Sequence, residues 1–538
     1  MLNRRQCLGT LTTAATAMAA QATRRPNIVV MMADDMGFSD IGCYGSEIRT
    51  PHLDSLAKAG LRFTQFYNGA RCCPTRAALM TGLYAHQAGV GHMVDTAKSL
   101  PGYTGDLSTN CVTIAQVLRA SGYRTMMTGK WHVTPVSNDQ KNWPLQRGFE
   151  RYYGTITGAG SFYDPGTLTS GNEAVTPGSP DFYYTDAIAK NTEKFLDELG
   201  QGPDPFFAYV AFTAPHWPMH APESEIAKYK GRYAKGWDAL RTERHKRMID
   251  LGVVDKSWPL TDRDDSVPKW ENEQHKEWMQ RRMEVYAAMV DRLDQAVGRI
   301  LAKLKALNQL ENTLILFLAD NGGCAEELKV GPGNPRSVPK MTRDGRPVRH
   351  GNDPSIMPGK DDDYQSYGLP WANVSNTPFR RYKHWVHEGG ISSPLIAHWP
   401  KGITKGQGSW VHEPAHLIDV MATCVDLGQA KYPATHNAQA ITPMEGRTLA
   451  PLLAGAKTMP QRALYWEHEG NRAMREGDWK IVSQHPRGWE LYNIRRDRSE
   501  RQNLAAAQPE RLQTMTAKWE AWASRAQVVP WEQFLAAK

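Results

Sequence analysis

Two stretches far apart in the chain share one layout, and together they restrict the folds open to it. Residues Asn27-Ile28-Val29-Val30-Met31-Met32 form an unbroken apolar run of strand length that ends in Ala33-Asp34-Asp35. Much later, Leu314-Ile315-Leu316-Phe317-Leu318 repeats the pattern and ends in Ala319-Asp320-Asn321-Gly322-Gly323. A strand without polar alternation is buried on both faces, the condition of a parallel sheet covered by helices on each side. Ligands of such sheets bind beyond the carboxyl ends of the strands. One Asp pair after a strand commonly does no more than cap a turn. Two such ends, on strands that are parallel neighbours, would bring three carboxylates and an amide oxygen to one rim. Those are hard oxygen donors, suited to Ca²⁺ or Mg²⁺ and not to zinc.

The segments between keep the same rhythm. Thr50-Pro51 opens a short helix that stops at Gly60, and Phe63 to Tyr67 reads as an alternating strand. A capped helix from Thr113 to Ser121 precedes the strand Tyr123 to Met127, and Pro205 to Phe212 and Pro394 to His398 are further apolar strands. Trp278 to Leu307 carries Val285, Met289, Leu293, Val297, Ile300, Leu301 and Leu304 at helical spacing, which predicts one long amphipathic helix on a sheet face. The fold class is therefore α/β: a large, mostly parallel sheet sandwiched by helices. Near Pro443 the pattern shifts to short strands at Leu464–Glu467, Trp479–Val482 and Trp489–Tyr492, with a closing helix within 509–525. These predict a smaller C-terminal α+β subdomain, so that residues 23–440 form the catalytic domain and 441–538 the second unit. The polar stretch from Tyr229 to Glu277 is expected to cover part of the site, and the Gly- and Pro-rich stretch from Ala325 to Pro378 to line a pocket.

Residues 1–22 read as an export signal, with Arg4-Arg5 before a mildly apolar stretch too short to span a membrane. That predicts a periplasmic or extracellular protein, exported by a Sec or twin-arginine route. The net charge of +8 is modest for 538 residues and forms no dense basic run, which argues against a nucleic-acid partner and for anionic substrates. Seven cysteines are too few and too scattered for a disulfide framework.

Two of those cysteines are adjacent, in Cys72-Cys73-Pro74-Thr75-Arg76-Ala77-Ala78-Leu79-Met80-Thr81-Gly82. Pro74 suits the first turn of a helix, placing Cys72 at a helix N-terminus where free N–H groups favour an anion or an ionised nucleophile. Arg76 lies one turn along on the same face. Thr128-Gly129-Lys130-Trp131-His132 follows a strand, and in an extended segment Lys130 and His132 would face one anion together. His216 follows another strand between two prolines, and Lys383 follows Thr377-Pro378-Phe379-Arg380-Arg381-Tyr382.

Cys-x-Pro-x-Arg followed by Leu-x-Thr-Gly resembles the signature of the type I sulfatases, with Thr75 standing where Ser or Ala is commoner. The resemblance extends from Asp34-Asp35 to Glu490-Leu491-Tyr492-Asn493 and implies the alkaline phosphatase-like fold. It implies that Cys72 is converted to formylglycine by a formylglycine-generating or sulfatase-maturing enzyme. It assigns Asp34, Asp35, Asp320 and Asn321, with the modified Cys72, to Ca²⁺. Arg76, Lys130, His132, His216 and Lys383 then fall on the positions that hold the nucleophile and the sulfate. Within that scheme one hydroxyl of the hydrated aldehyde attacks sulfur, His216 with Lys383 serves the leaving oxygen, and His132 assists release of sulfate. The implied substrate is a sulfated carbohydrate, with aryl sulfates turned over adventitiously. A phosphonate or phosphodiester hydrolase on the same scaffold, or an unmodified sulfoglycan-binding protein, are the alternatives. Cys73 reads as structural, and His468, Asn471 and Arg472 as a structural turn in preference to substrate contacts.

Overall fold

Strand β1 (Asn27–Ala33) is buried at every residue, and its side chains serve two cores. Val29, Met31 and Ala33 point into one apolar cluster and Ile28, Val30 and Met32 into the other, the period-two alternation of a strand with helices on both sides. The structure, a computed structural model, describes residues 25–136, 139–333 and 338–538. The expected export signal at residues 1–22 lies outside the described residues.

In chain order the other main strands of this sheet are β2 (Leu61–Tyr67), β3 (Arg124–Lys130), β4 (Arg151–Thr155), β5 (Phe206–Ala211), β6 (Thr313–Ala319) and β7 (Ser392–His398). They lie in the order β2-β7-β6-β1-β5-β3-β4, with short strands at the edges completing an 11-stranded sheet among the described residues. β1 pairs in parallel with β6, in a register that sets Asn27 opposite Thr313 and Ala33 opposite Ala319. The two carboxylate-bearing ends therefore emerge side by side, as their shared layout predicts. β5 and β3 continue the parallel array. β7 runs antiparallel to both β6 and β2. The chain entering β7 and the chain leaving β2 thus reach the same rim as the ends of β1 and β6, which is how Lys383 and Cys72 arrive there.

Helices α1 (Pro51–Ala59), α2 (Cys72–Thr81), α3 (Ile114–Ala120), α4 (Tyr184–Leu199), α5 (Gly236–Asp250) and α6 (Lys276–Ala306) flank the sheet. α6 runs 31 residues and buries Val285, Met289, Leu293, Val297, Ile300 and Leu304, so its methionines are core as expected. α3 opens with a capping box between Thr113 and Gln116. α5 lies in the polar stretch expected to cover the site. What it holds is the turn behind the site: Arg244 pairs with Asp40 at 2.6 Å, and Asp40 accepts from the Gly37 amide at 2.9 Å.

The C-terminal strands form a four-stranded antiparallel sheet, β8 (Ala463–His468), β9 (Asn471–Glu476), β10 (Trp479–Ser483) and β11 (Glu490–Asn493), packed against a helix over Pro509–Arg525. A buried ion network ties it to the large sheet. Lys480 Nζ meets Glu388 at 2.9 Å and Glu500 at 2.8 Å, and Arg498 meets Glu388 at 2.8 Å, all four side chains fully buried. Removing one partner of such a network strands its counter-charges. Lys480→Met should cost about 3–5 kcal/mol of stability, read as a fall in the urea midpoint at neutral pH.

Two of the buried histidines show how burial gives the fold an acid limit. His220 donates from Nε2 to the Asp363 carbonyl at 2.6 Å, and burial pushes its pKa down to about 4. Burial, reinforced by Arg462, pushes His416 down to about 3. Unfolded imidazoles titrate near 6.5, so below that pH the unfolded chain binds protons that the native chain refuses. Stability is full above pH 6.5 and falls as the pH drops towards 4, by about 2 kcal/mol for each ring at pH 5. Urea midpoints at pH 7.5 and 5 should show this loss, and His220→Gln should reduce it by about 2 kcal/mol.

Candidate active site

α2 begins at Cys72, whose thiol lies at the first turn as expected, and every residue of the helix is buried. Thr75, the residue that departs from the commoner pattern, donates its hydroxyl to the Asp320 carbonyl at 2.6 Å and accepts from the Gly69 amide at 2.8 Å. The extra methyl therefore leaves a serine-like bridge intact. Arg76 reaches across to Asp320 Oδ2 at 2.9 Å and to the Lys130 carbonyl at 3.1 Å.

Lys130, at the end of β3, donates to Asp34 Oδ2 at 2.6 Å, and Lys383 donates to Asp35 Oδ2 at 2.9 Å. Asp320 Oδ1 accepts from the Asp35 amide at 3.1 Å, and Asn321 Nδ2 donates to Asp35 Oδ1 at 2.7 Å. The loop bearing Lys383 is locked to the end of β6 by the Gly322 amide bonding the Gly390 carbonyl at 3.0 Å. A Cβ on Gly322 would stand 1.9 Å from the Gly389 carbonyl oxygen, so the close approach requires glycine there.

The structure brings together all ten residues singled out in the sequence, but two sit differently from expectation. His132 takes a left-handed backbone conformation with φ 54°, so it does not continue the extended line of Lys130. Its Nε2 instead lies 3.3 Å from Cys73 Sγ, and its ring fills the space beside Gly158, where a Cβ would come within 2.2 Å. Cys73, expected to be structural, therefore joins Cys72 and His132 in one group. His216 sits among the carboxylates, with Nε2 3.4 Å from Asp35 Oδ2. Its Nδ1 donates to the Trp217 carbonyl at 2.6 Å, which leaves Nε2 of the neutral ring to accept from Lys383 at 3.3 Å. Burial lowers its pKa and favours that neutral ring, so the proton at this point of the site is carried by Lys383.

The electrostatics follow from burial and pairing. Burial opposes ionisation of Asp34, but Lys130 and then Arg76 hold its carboxyl well below the usual range. Asp320 is pushed well above that range by burial and by the neighbouring Asp34. The Cys72 thiol is held well below the ordinary value by a hydrogen bond from Cys73, against burial, and by Lys130 and His132. Lys383 is held well above the ordinary value by Asp35 although burial opposes it.

Two buried oxygens, Asp34 Oδ1 and Asn321 Oδ1, have no hydrogen-bond partner among the described residues. Buried polar atoms are rarely left so, and both lie on the donor set expected to grip a hard cation. The residues present fit such an ion.

Sequence reasoning missed Glu326. It pairs with Arg71 at 2.9 Å and accepts from Trp217 Nε1 at 2.8 Å. Lys383 and Arg71 hold it well below the usual carboxylate range against burial. Nothing local in Ala325-Glu326-Glu327 distinguishes it from a solvated acidic pair. Of the three C-terminal residues weighed as contacts, His468 and Asn471 are buried at the seam between the sheets. Arg472 turns away and stacks on Trp489 and Trp519.

Carboxylates at the carboxyl rim of a parallel sheet, opposed by buried Lys and Arg around a helix-terminal cysteine, form one site at the place where ligands of such sheets bind. The chain belongs to the sulfatase family, whose profile matches residues 26–430. It is 32% identical over 532 residues to an uncharacterized sulfatase of Schizosaccharomyces pombe, covering 92% of this chain and 93% of the relative. It is 31% identical over 462 residues to an arylsulfatase of Klebsiella aerogenes, covering 83% and 96%. A protein solved in complex with its substrate D-glucosamine-2-N,6-O-disulfate shares the fold, with TM-score 0.62 and 19% identity over 94% of this chain and 98% of that one. No helix among the described residues is long and apolar enough to cross a membrane.

Proposed function

We propose that the protein hydrolyses sulfate monoesters of carbohydrates, using Cys72 after its conversion to formylglycine and a calcium ion held by Asp34, Asp35, Asp320 and Asn321. The observation that carries this reading is a cysteine at the buried start of α2 set beside Lys130, with paired carboxylates across Arg76. A sulfate monoester is a stable anion with a poor leaving group, so its cleavage needs a strong nucleophile and fixed positive charge on the sulfuryl oxygens. Hydrated formylglycine would supply one hydroxyl as nucleophile and a second to expel sulfate, an exit that Ser or Cys lacks. Calcium would supply positive charge at the rim and favour ionisation of an oxygen bound there.

The chain's own residues do the rest. Arg76, fixed between Asp320 and the Lys130 carbonyl, orients residue 72. Lys130 and Lys383 place two ammonium groups within reach of an ester anion. Lys383, its ammonium shared with His216 Nε2, stabilises or protonates the leaving oxygen. His132, with Nδ1 buried and unpaired, has a free ring nitrogen to exchange a proton with residue 72 during release. The likeness to a protein that takes a glucosamine disulfate as substrate supports the carbohydrate class.

Two measurements test this. Mass spectrometry of the protein from its native host should find residue 72 short of one sulfur and two hydrogens and richer by one oxygen. A screen of sulfated mono- and disaccharides, with matched phosphate esters alongside, should give the higher kcat/KM on sulfates. An unmodified Cys72, or a preference for phosphate esters, would overturn the reading.

A further inference from the structure

Beside the site, where the C-terminal sheet meets the large one, three histidines and a carboxylate converge from three segments of chain. His468 and Glu469 lie at the β8–β9 turn, His92 on the loop after α2, and His384 directly after Lys383. Glu469 Oε1 stands 2.8 Å from His92 Nε2 and 3.5 Å from His468 Nε2, and Glu469 Oε2 stands 2.8 Å from His384 Nδ1. The proposed hydrolysis uses none of these four residues.

His468 is the informative member. Its ring is completely buried, and neither of its nitrogens has a hydrogen-bond partner among the described residues. An imidazole buried without a partner carries a desolvation penalty that the protein fold itself does not offset. His92 Nε2, His468 Nε2 and Glu469 Oε1 all lie within 4.8 Å of one another. Tetrahedral ligands at about 2.0–2.1 Å from a zinc ion stand about 3.3 Å apart, close to the 2.8 and 3.5 Å separations present here. The outer contacts match too. His92 Nδ1 is held by the Thr96 hydroxyl, which fixes its ring, and His384 holds the far oxygen of Glu469.

We infer that His92, His468 and Glu469 form a second metal site, distinct in donor chemistry from the oxygen-lined rim and suited to a zinc ion, with His384 orienting the carboxylate. Two imidazoles and one carboxylate leave a fourth position open to water. The ion would pin the β8–β9 turn to the loop after α2 that carries His92, and Glu469 Oε2 would tie that junction to His384 beside Lys383.

The test uses the calcium-loaded enzyme with no affinity tag, incubated with Zn²⁺, desalted and assayed for metal by mass spectrometry. The wild type should retain one equivalent of zinc, as should Cys72→Ala/Cys73→Ala, while His468→Gln and Glu469→Gln should lose it. Because those variants could unfold, Co²⁺ is also titrated into the wild type, where d–d bands without a thiolate-to-cobalt charge-transfer band are expected. No zinc retained by the wild type, zinc kept by folded His468→Gln and Glu469→Gln, or a thiolate band placing the ion on Cys72, Cys73 and His132 would each overturn the site.

Discussion

Cys72→Ala and Cys72→Ser proteins are expected to turn over an aryl sulfate at least about 10⁴-fold more slowly than the wild type while keeping the native circular dichroism and thermal transition. The fold should survive because Cys72 is a small side chain at the first turn of α2, and neither replacement enlarges it or adds an unpaired charge. The hydrogen bonds that hold the helix start, from Thr75 to Asp320 and from Gly69 to Thr75, do not involve the thiol. Activity should collapse because nothing else at this point of the site can attack sulfur: Lys130 and Lys383 are ammonium groups tied to Asp34 and Asp35. The serine variant sharpens the test. Its hydroxyl can take up one sulfuryl group but has no second hydroxyl to release it, so a single stoichiometric burst without turnover is the expected limit. Steady turnover by either variant near the wild-type rate would sink the proposed role of residue 72.

The parts of this architecture that were legible in the sequence are those whose signal is local. The two apolar runs specify β1 and β6, and their matching ends specify that Asp34, Asp35, Asp320 and Asn321 share a rim, because parallel register follows from equal strand length and equal punctuation. Glu326 was not legible, since its meaning comes from Arg71 and Trp217, which only the tertiary fold brings near. β9 was missed for a related reason. Asn471-Arg472-Ala473-Met474-Arg475-Glu476 has little apolar alternation, and its burial is made possible by partners such as Tyr67, which accepts from Arg475. The extended geometry assumed for Lys130 and His132 failed at the left-handed φ of His132, a non-glycine residue that no propensity marks for that region. Such backbone exceptions cluster where function constrains the chain.

Removing the divalent cation is expected to lower activity at least about 10³-fold, with recovery on adding Ca²⁺ and not Zn²⁺. The argument is one of charge. Asp34, Asp35 and, once a cation favours its ionised form, Asp320 face Lys130, Lys383 and Arg76 one for one. A divalent cation on the carboxylates changes that balance to an excess of two positive charges, the sign that draws in an anionic ester and stabilises charge on its sulfuryl oxygens. It would also give Asp34 Oδ1 and Asn321 Oδ1 the partner that no donor among the described residues provides. Binding to the native state alone stabilises by mass action, about 2.7 kcal/mol at a hundredfold excess over Kd, so Ca²⁺ should raise the thermal midpoint of the chelated protein. Asn321→Ala, which removes one neutral oxygen and no charge, should weaken that shift while sparing the three ion pairs. Full activity after exhaustive chelation, together with a midpoint unmoved by Ca²⁺, would show that the three buried pairs form a self-neutralised cluster and not a cation site.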